Sequence, residues 1–406
     1  MKLPSCGTRP PPKSARCTPV STSSTIDLHD LPLFDHHCHG VITKDVDRDE
    51  FEALISESSR PATEGTTRFD SQVGFQILAN CAPLLDLPSF CTPEEYLARR
   101  TELGAAEVNK RLLRAANIAV YGIETGHDAG RINGPADMAE IADAHSCEIV
   151  RLERLAEQVI ERVRDRADAG SAELLAEIER ELDARLETAV GVKTIAAYRI
   201  GFDFEDARPA ASELEASAAR LLATSGSLRL DDPVMIRQLI WLAIDRACVI
   251  QVHVGYGDDD VDLHRCNPLL LTRLLRATVD SGARFTLLHC YPFHREAGYL
   301  ADVFPHVYFD VGLGVNYTGS RSEAVIAESL ELAPFGKILF SSDAWGASEL
   351  YYLGAMLFRR GLTAALERFT QLDAWPREQS LGVARMIGYE NAARLYGFDP
   401  LVRQAQ

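Results

Sequence analysis

A chain of 406 residues, 46% hydrophobic and 25% charged, has the make-up of a globular protein and the length of a large α/β barrel or of two to three smaller domains. Its formal charge of −17, with no Lys/Arg-rich block, argues against nucleic acid or an anionic membrane as partner. Nine cysteines without a C-x-x-C pair give neither a disulfide framework nor a cysteine zinc finger, and no apolar run approaches the ~20 residues that span a bilayer.

Residues 1–28 are rich in Pro and Ser, lack an apolar signal core and are expected to be a disordered tail before one folded unit, 29–406, in a reducing cytoplasm. The first strand, LPLFDHHCH (31–39), enters through Leu31, Leu33 and Phe34. Strand alternation puts Asp35, His37 and His39 on one face, with His36 and Cys38 on the other. Neutral imidazoles so placed can share a divalent cation. The next stretch, 41–117, is too long for a simple crossover; helices at 53–59, 93–103 and 105–116 make it a helical insertion over the mouth of the fold.

Further strands follow at 118–125, 146–153, 188–198, 247–255, 283–290, 306–314 and 336–344. Amphipathic helices separate them, among them 233–247, which Asp232 can cap, and 267–282, which Gly282 closes. Eight strands alternating with helices give a (β/α)8 TIM-type barrel, an α/β fold whose chemistry sits at the C-terminal ends of the strands.

At those ends stand His37 and His39 on strand one, His253 on strand five, His289 on strand six and Asp343 on strand eight. One buried histidine alone is more often bonded to a backbone carbonyl. Four strand ends converging on one rim make a metal site, with zinc expected from imidazole and carboxylate donors and Mn2+ or Mg2+ as alternatives. Lys193, between Val192 and Ile195 on strand four, needs a partner. It is either a carbamate bridging two ions or an ammonium paired with Glu153 or Asp343. Tyr198, Arg199, His294 and Glu124 are candidate substrate contacts, Arg199 as a bidentate clamp for a carboxylate. The acidic run Asp258, Asp259, Asp260 and Asp262 reads as a solvated loop, and His127 has no supporting constellation.

The set His37-x-His39, Lys193, His253, His289 and Asp343 resembles the amidohydrolase superfamily of metal-dependent barrels. The likeness runs from about residue 31 to 398, where GYENAARLYGF (388–398) is similar to the terminal helix of the amidohydrolase-2 branch. Within that branch KTIAAYR (193–199), HVGYGDDDVDL (253–263), HCYPFHREAGYLA (289–301) and SSDAWGASELYYLGA (341–355) resemble the FluG-like group. Its barrel is sometimes fused to a glutamine-synthetase domain, which is not expected in this chain. The resemblance implies a metal-activated water cleaving a C–N bond of a small-molecule amide, with a γ-glutamyl amide as the narrower expectation. Asp343 would be both ligand and proton acceptor, and His289 either ligand to a second ion or donor to the oxyanion. Non-oxidative decarboxylation or isomerisation on the same site is the alternative, and a non-catalytic metabolite-binding barrel the remote one. A homo-oligomer is compatible with all three.

Overall fold

Seven parallel strands follow one another around a single sheet in chain order: β1 (Leu33–Cys38), β2 (Ile118–Glu124), β3 (His145–Arg151), β4 (Gly191–Thr194), β5 (Val249–His253), β6 (Arg284–Leu288) and β7 (Val307–Phe309). The computed structural model describes residues 26–128, 130–166 and 170–401. Parallel neighbours need a crossover, and helices supply it between successive strands, which is why the strands are nearly all buried apolar residues.

The eighth expected strand, 336–344, is not a regular strand. The segment 338–344 nevertheless bonds to both edges of the sheet. Leu339 N donates to Phe309 O (3.0 Å), while His36 N donates to Phe340 O (3.1 Å) and Asp343 N to His37 O (3.1 Å). Its ladder is broken because side chains take part of it: Asp35 accepts from both N and Oγ of Ser342, Asp310 accepts from Ser341 Oγ, and Asp343 adopts a left-handed φ of 49°. The architecture is an α/β fold of the TIM type.

Between β1 and β2 lie the helices Arg48–Leu54, Gln72–Gln76, Pro93–Leu103 and Ala105–Ala116. Thr92 and Glu95 form a capping box before Pro93, and Gly104 (φ +77°) ends that helix where Asp45 accepts from Ala105 N to start the next. The helix expected at 53–59 instead begins earlier, at the Asp47 cap, and ends at Leu54. Ser56 turns the chain away by accepting from Ser58 N, a local bond that competes with the helix.

On the N-terminal side of the sheet, Phe34, Val120, Ile149, Val249 and Leu339 form a core closed by Tyr389, Leu395 and Tyr396 of the last helical segment. The expected tail boundary at 28 is too late: Ile26 (4% exposed) and Leu28 (3%) belong to the main hydrophobic core. Short apolar side chains in a Ser/Thr-rich run carry no periodic signal, so only packing reveals them. The rest of the expected tail, 1–25, lies outside the described residues.

Candidate metal centre

The C-terminal strand ends bring His37, His289 and Asp343 together so that one donor atom from each lies within 4.8 Å of the others. Asp343 is the hub. Its Oδ1 lies 2.9 Å from His37 Nε2 and 3.7 Å from His39 Nε2, and its Oδ2 3.3 Å from His289 Nδ1. Lys193 Nζ reaches His37 Nε2 at 2.8 Å rather than Glu153, whose Oε1 accepts from Thr194 Oγ1 and Ile195 N. The His253 ring stands 4.8 Å from that of His289 and 4.4 Å from that of Tyr198.

Burial, followed by the charge of Lys193, holds His37, His39 and His253 well below the ordinary imidazole range; for His289 burial is followed by His253. All four are therefore neutral, the form in which imidazole is a ligand. Burial also lowers Lys193 and raises Asp343 well above the usual carboxylate range, against the pull of Lys193.

Among the described residues, both ring nitrogens of His289, Nε2 of His253 and Nδ1 of His39 are buried without a hydrogen-bond partner. Each such atom costs about 1–3 kcal/mol unless something satisfies it. His37 Nε2, meanwhile, lies 2.9 Å from Asp343 Oδ1. Neutral imidazoles and a carboxylate turned on one point suit a divalent cation, so the residues fit the group.

The floor beneath the ligands is a network that alternation along β1 does not foresee. A register shift between Asp35 and Cys38 breaks the two-residue period. Asp35 leaves the expected face for Ser342, its carboxyl pushed up to about 7 by burial. His36, expected to face away, bonds Tyr396 Oη (2.9 Å) and Asp310 Oδ2 (3.0 Å). Gln251 Oε1 accepts from His37 Nδ1 (2.8 Å), while its amide group donates to His36 O (2.7 Å) and Tyr396 Oη (2.9 Å). Since both amide hydrogens are committed, the His37 proton sits on Nδ1 and Nε2 presents its lone pair, which Lys193 Nζ meets at 2.8 Å.

Above the ligands opens a cavity of about 530 Å3 whose lining includes His39, Lys193, His253 and Asp343. Of the candidate substrate contacts, Tyr198 and Arg199 line it; Glu124 and His294 do not. Glu124 lies behind it, accepting from Arg151 and standing 3.4 Å from His39 Nδ1. His294 is a correction: it opens a helix, stacks on Tyr291 and gives Nε2 to Glu328 at 2.7 Å, so its ring is held by structure. Asp258 and Asp260 reach the cavity although the loop reads as solvated, and His127 lines it with its ring 5.2 Å from that of His39. Arg151 was legible as a charged end to β3, by the same rule that exposed His253; Glu57, from an irregular loop, was not.

A family model described as Amidohydrolase matches residues 100–398. The chain belongs to the amidohydrolase family. It is 28% identical over 404 residues to Protein fluG of Emericella nidulans, a match covering 90% of this chain but only 45% of that protein, so it spans less than half the length of this curated relative. A protein from Lactobacillus casei ATCC 334, provisionally described as a metal-dependent hydrolase, superposes with a TM-score of 0.80 at 30% identity, covering 94% of this amidohydrolase and all of its own chain. Glucuronate isomerase from Caulobacter crescentus, at 15% identity with a TM-score of 0.58 over 91% of this chain and 92% of its own, shares the fold alone. This amidohydrolase is thus a metal-dependent enzyme, and among its described residues no helix is long and apolar enough to cross a membrane.

Proposed function

We propose that this amidohydrolase hydrolyses the C–N bond of a small-molecule amide, with a γ-glutamyl amide as the narrower reading carried by its resemblance to FluG-like proteins. The observation that carries the reading is the convergence of His37, His289 and Asp343 below an open cavity. His37, His39, His253, His289 and Asp343 would hold the ion, zinc being the expected one, and Lys193 would join a second. A divalent cation supplies Lewis acidity, polarising a carbonyl and bringing the pKa of water toward ~7.

The chain does the rest. Asp343, which lines the cavity beside the histidines, is the carboxylate placed to accept a proton there. It takes a proton from the attacking water as the oxygen adds to the carbonyl carbon, and returns it to the leaving nitrogen as the C–N bond breaks. A carboxylic acid and an amine result. A ring nitrogen of His289 that carries a proton can meet the developing oxyanion. Tyr198 and Arg199 orient the substrate from the wall. The stretch 41–117 is read as an insertion over the mouth, supported by Leu54, Glu57 and Ser59 lining the cavity.

The test is hydrolysis of a panel of γ-glutamyl and simple acyl amides by the zinc-loaded chain in 18O water, read by mass spectrometry. Released amine and one heavy oxygen in the new carboxylate are expected, with both lost after chelation. A metal-saturated enzyme that releases amine from no member of the panel would refute the reading.

A further inference from the structure

Charges in the cavity wall are paired unevenly. Asp260 holds Arg229 at 2.9 Å, and Asp259 at the rim holds Arg60 at 3.3 Å. Glu57 and Asp258, which line the same cavity, have no ion pair among the described residues. Among the described residues Glu57 meets the hydroxyl of Tyr317, and Asp258 accepts from the backbone N–H of Asp260 at 2.9 Å. Each raises the carboxyl of the other or is raised by acidic neighbours on top of burial, Glu57 to about 7. Lys193 and Arg229 act on these two carboxyls only through space, and neither forms an ion pair with them among the described residues.

The complementary deficit lies elsewhere in the same wall. The side chain of Arg199 is 9% exposed; Nη2 lies 3.3 Å from Glu157, while Nε and Nη1 are buried without a partner among the described residues. A guanidinium carries five donors, so a buried one with a single ion pair is underused. Arg199 is not bonded to Glu57 or Asp258, and the cavity that all three line keeps the two deficits open. The loop that carries Asp258 is also fitted to the wall: a Cβ on Gly257 would come within 2.2 Å of Tyr198 Oη, so only glycine lets the loop lie against this ring.

We propose that the substrate is a zwitterion of the amino-acid type, its carboxylate held by Arg199 and its protonated amine by Glu57 and Asp258. One ligand then satisfies both deficits, and a cavity of about 530 Å3 is ample for an amino acid bearing an amide substituent. The proposal rests on the hydrolase reading only for where the scissile bond lies, and ligand binding tests it without turnover.

The probes are L-glutamate, glutarate, which lacks the amine, and 4-aminobutyrate, which lacks the α-carboxylate, each titrated calorimetrically into the zinc-loaded full chain. L-glutamate should bind about tenfold or more tighter than either analogue, the worth of one well-placed charge contact. Glu57→Gln should reduce its advantage over glutarate to about threefold or less, and Arg199→Met should do the same to its advantage over 4-aminobutyrate. The wild-type comparison stands even if a variant fails to fold. Glutarate binding as tightly as L-glutamate overturns the amine site, 4-aminobutyrate binding as tightly overturns the carboxylate site, and no binding of any probe overturns both. Absence of amide hydrolysis with the L-glutamate preference intact would retire the reaction and leave the zwitterion site standing.

Discussion

Replacing Gln251 separates holding the metal from holding the fold. The residue is fully buried and makes three bonds, accepting from His37 Nδ1 at 2.8 Å and donating to His36 O at 2.7 Å and Tyr396 Oη at 2.9 Å. Gln251→Leu removes all three. His37 Nδ1 is left without its acceptor and His36 O without this donor, whereas Tyr396 keeps its bond to His36 Nδ1. At roughly 1–3 kcal/mol for each of the two buried groups left unsatisfied, metal-free stability should fall by about 2–6 kcal/mol. The imidazole also loses the bond that fixes its proton, so zinc affinity should drop about 10–100-fold, the usual cost of losing a ligand's outer partner. Gln251→Glu divides the two effects: a carboxylate still accepts from His37 but cannot donate to His36 O or Tyr396. It should keep most of the zinc affinity and lose stability. Competition titration with a zinc chelator and thermal unfolding of the metal-free chain read the two quantities. If Gln251→Leu binds zinc as tightly as the wild type while its metal-free stability falls, the network is structural and the reasoning about His37 is wrong.

Replacing His37 and His39 together with alanine should strip the ion and abolish turnover while circular dichroism still reports a folded chain; full metal occupancy in that variant contradicts the ligand assignment. If Lys193 is a carbamate joining two ions, metal analysis with bicarbonate present should find two per chain in the wild type and one in Lys193→Ala, and a single ion in the metal-replete wild type sinks the bridge. Truncation through residue 28 should cost about 2–5 kcal/mol more than truncation through residue 25, because it removes the buried Ile26 and Leu28; equal stabilities would show that these side chains contribute nothing. Glu57 is raised from 4.5 to about 7, so ionising it costs stability; the cost is absent below the lower value and complete above the higher. Glu57→Gln should therefore be more stable than the wild type near about pH 8, with the gap closing by about pH 4, and a gap independent of pH would contradict it.

Much of this site was legible because buried parallel strands are written almost wholly in apolar residues. Against VIQV and FTLL, His253 and His289 stand out, and so does Lys193 after GV. What was not legible depends on partners distant in sequence. His294 could not be assigned to Glu328, 34 residues on, from its own neighbourhood, and so looked free for substrate. Glu57 and Asp258 sit in loops whose contact, Ser59 with Asp259, spans 200 residues. Strict alternation failed at His36 because the ladder between β1 and β2 is irregular between Asp35 and Cys38. There Asp35 meets Ser342 and His36 meets Asp310, partners their positions do not announce.

Asp310 shows why a strand without a ligand still matters to the metal centre. His289, Cys290 and Asp343 all have positive φ, of 67°, 49° and 49°, at a cost of order 1–3 kcal/mol each for a residue other than glycine. Such conformations persist only where the surroundings hold them. Asp310, just beyond β7 and fully buried, accepts through Oδ1 from His289 N (3.0 Å), Gly312 N (2.8 Å) and Ser341 Oγ (2.6 Å), and through Oδ2 it meets His36 Nε2 (3.0 Å). Four bonds compensate a carboxylate that would otherwise be costly to bury. They also tie β1, the turn after β6 and the segment leading to Asp343 to one point. Ligands arriving from separate strands do not aim themselves, because each strand end is free to fray. A shared acceptor beneath them makes the strained turn at His289 and the path to Asp343 a single unit, so the geometry that receives the ion is set before the ion arrives.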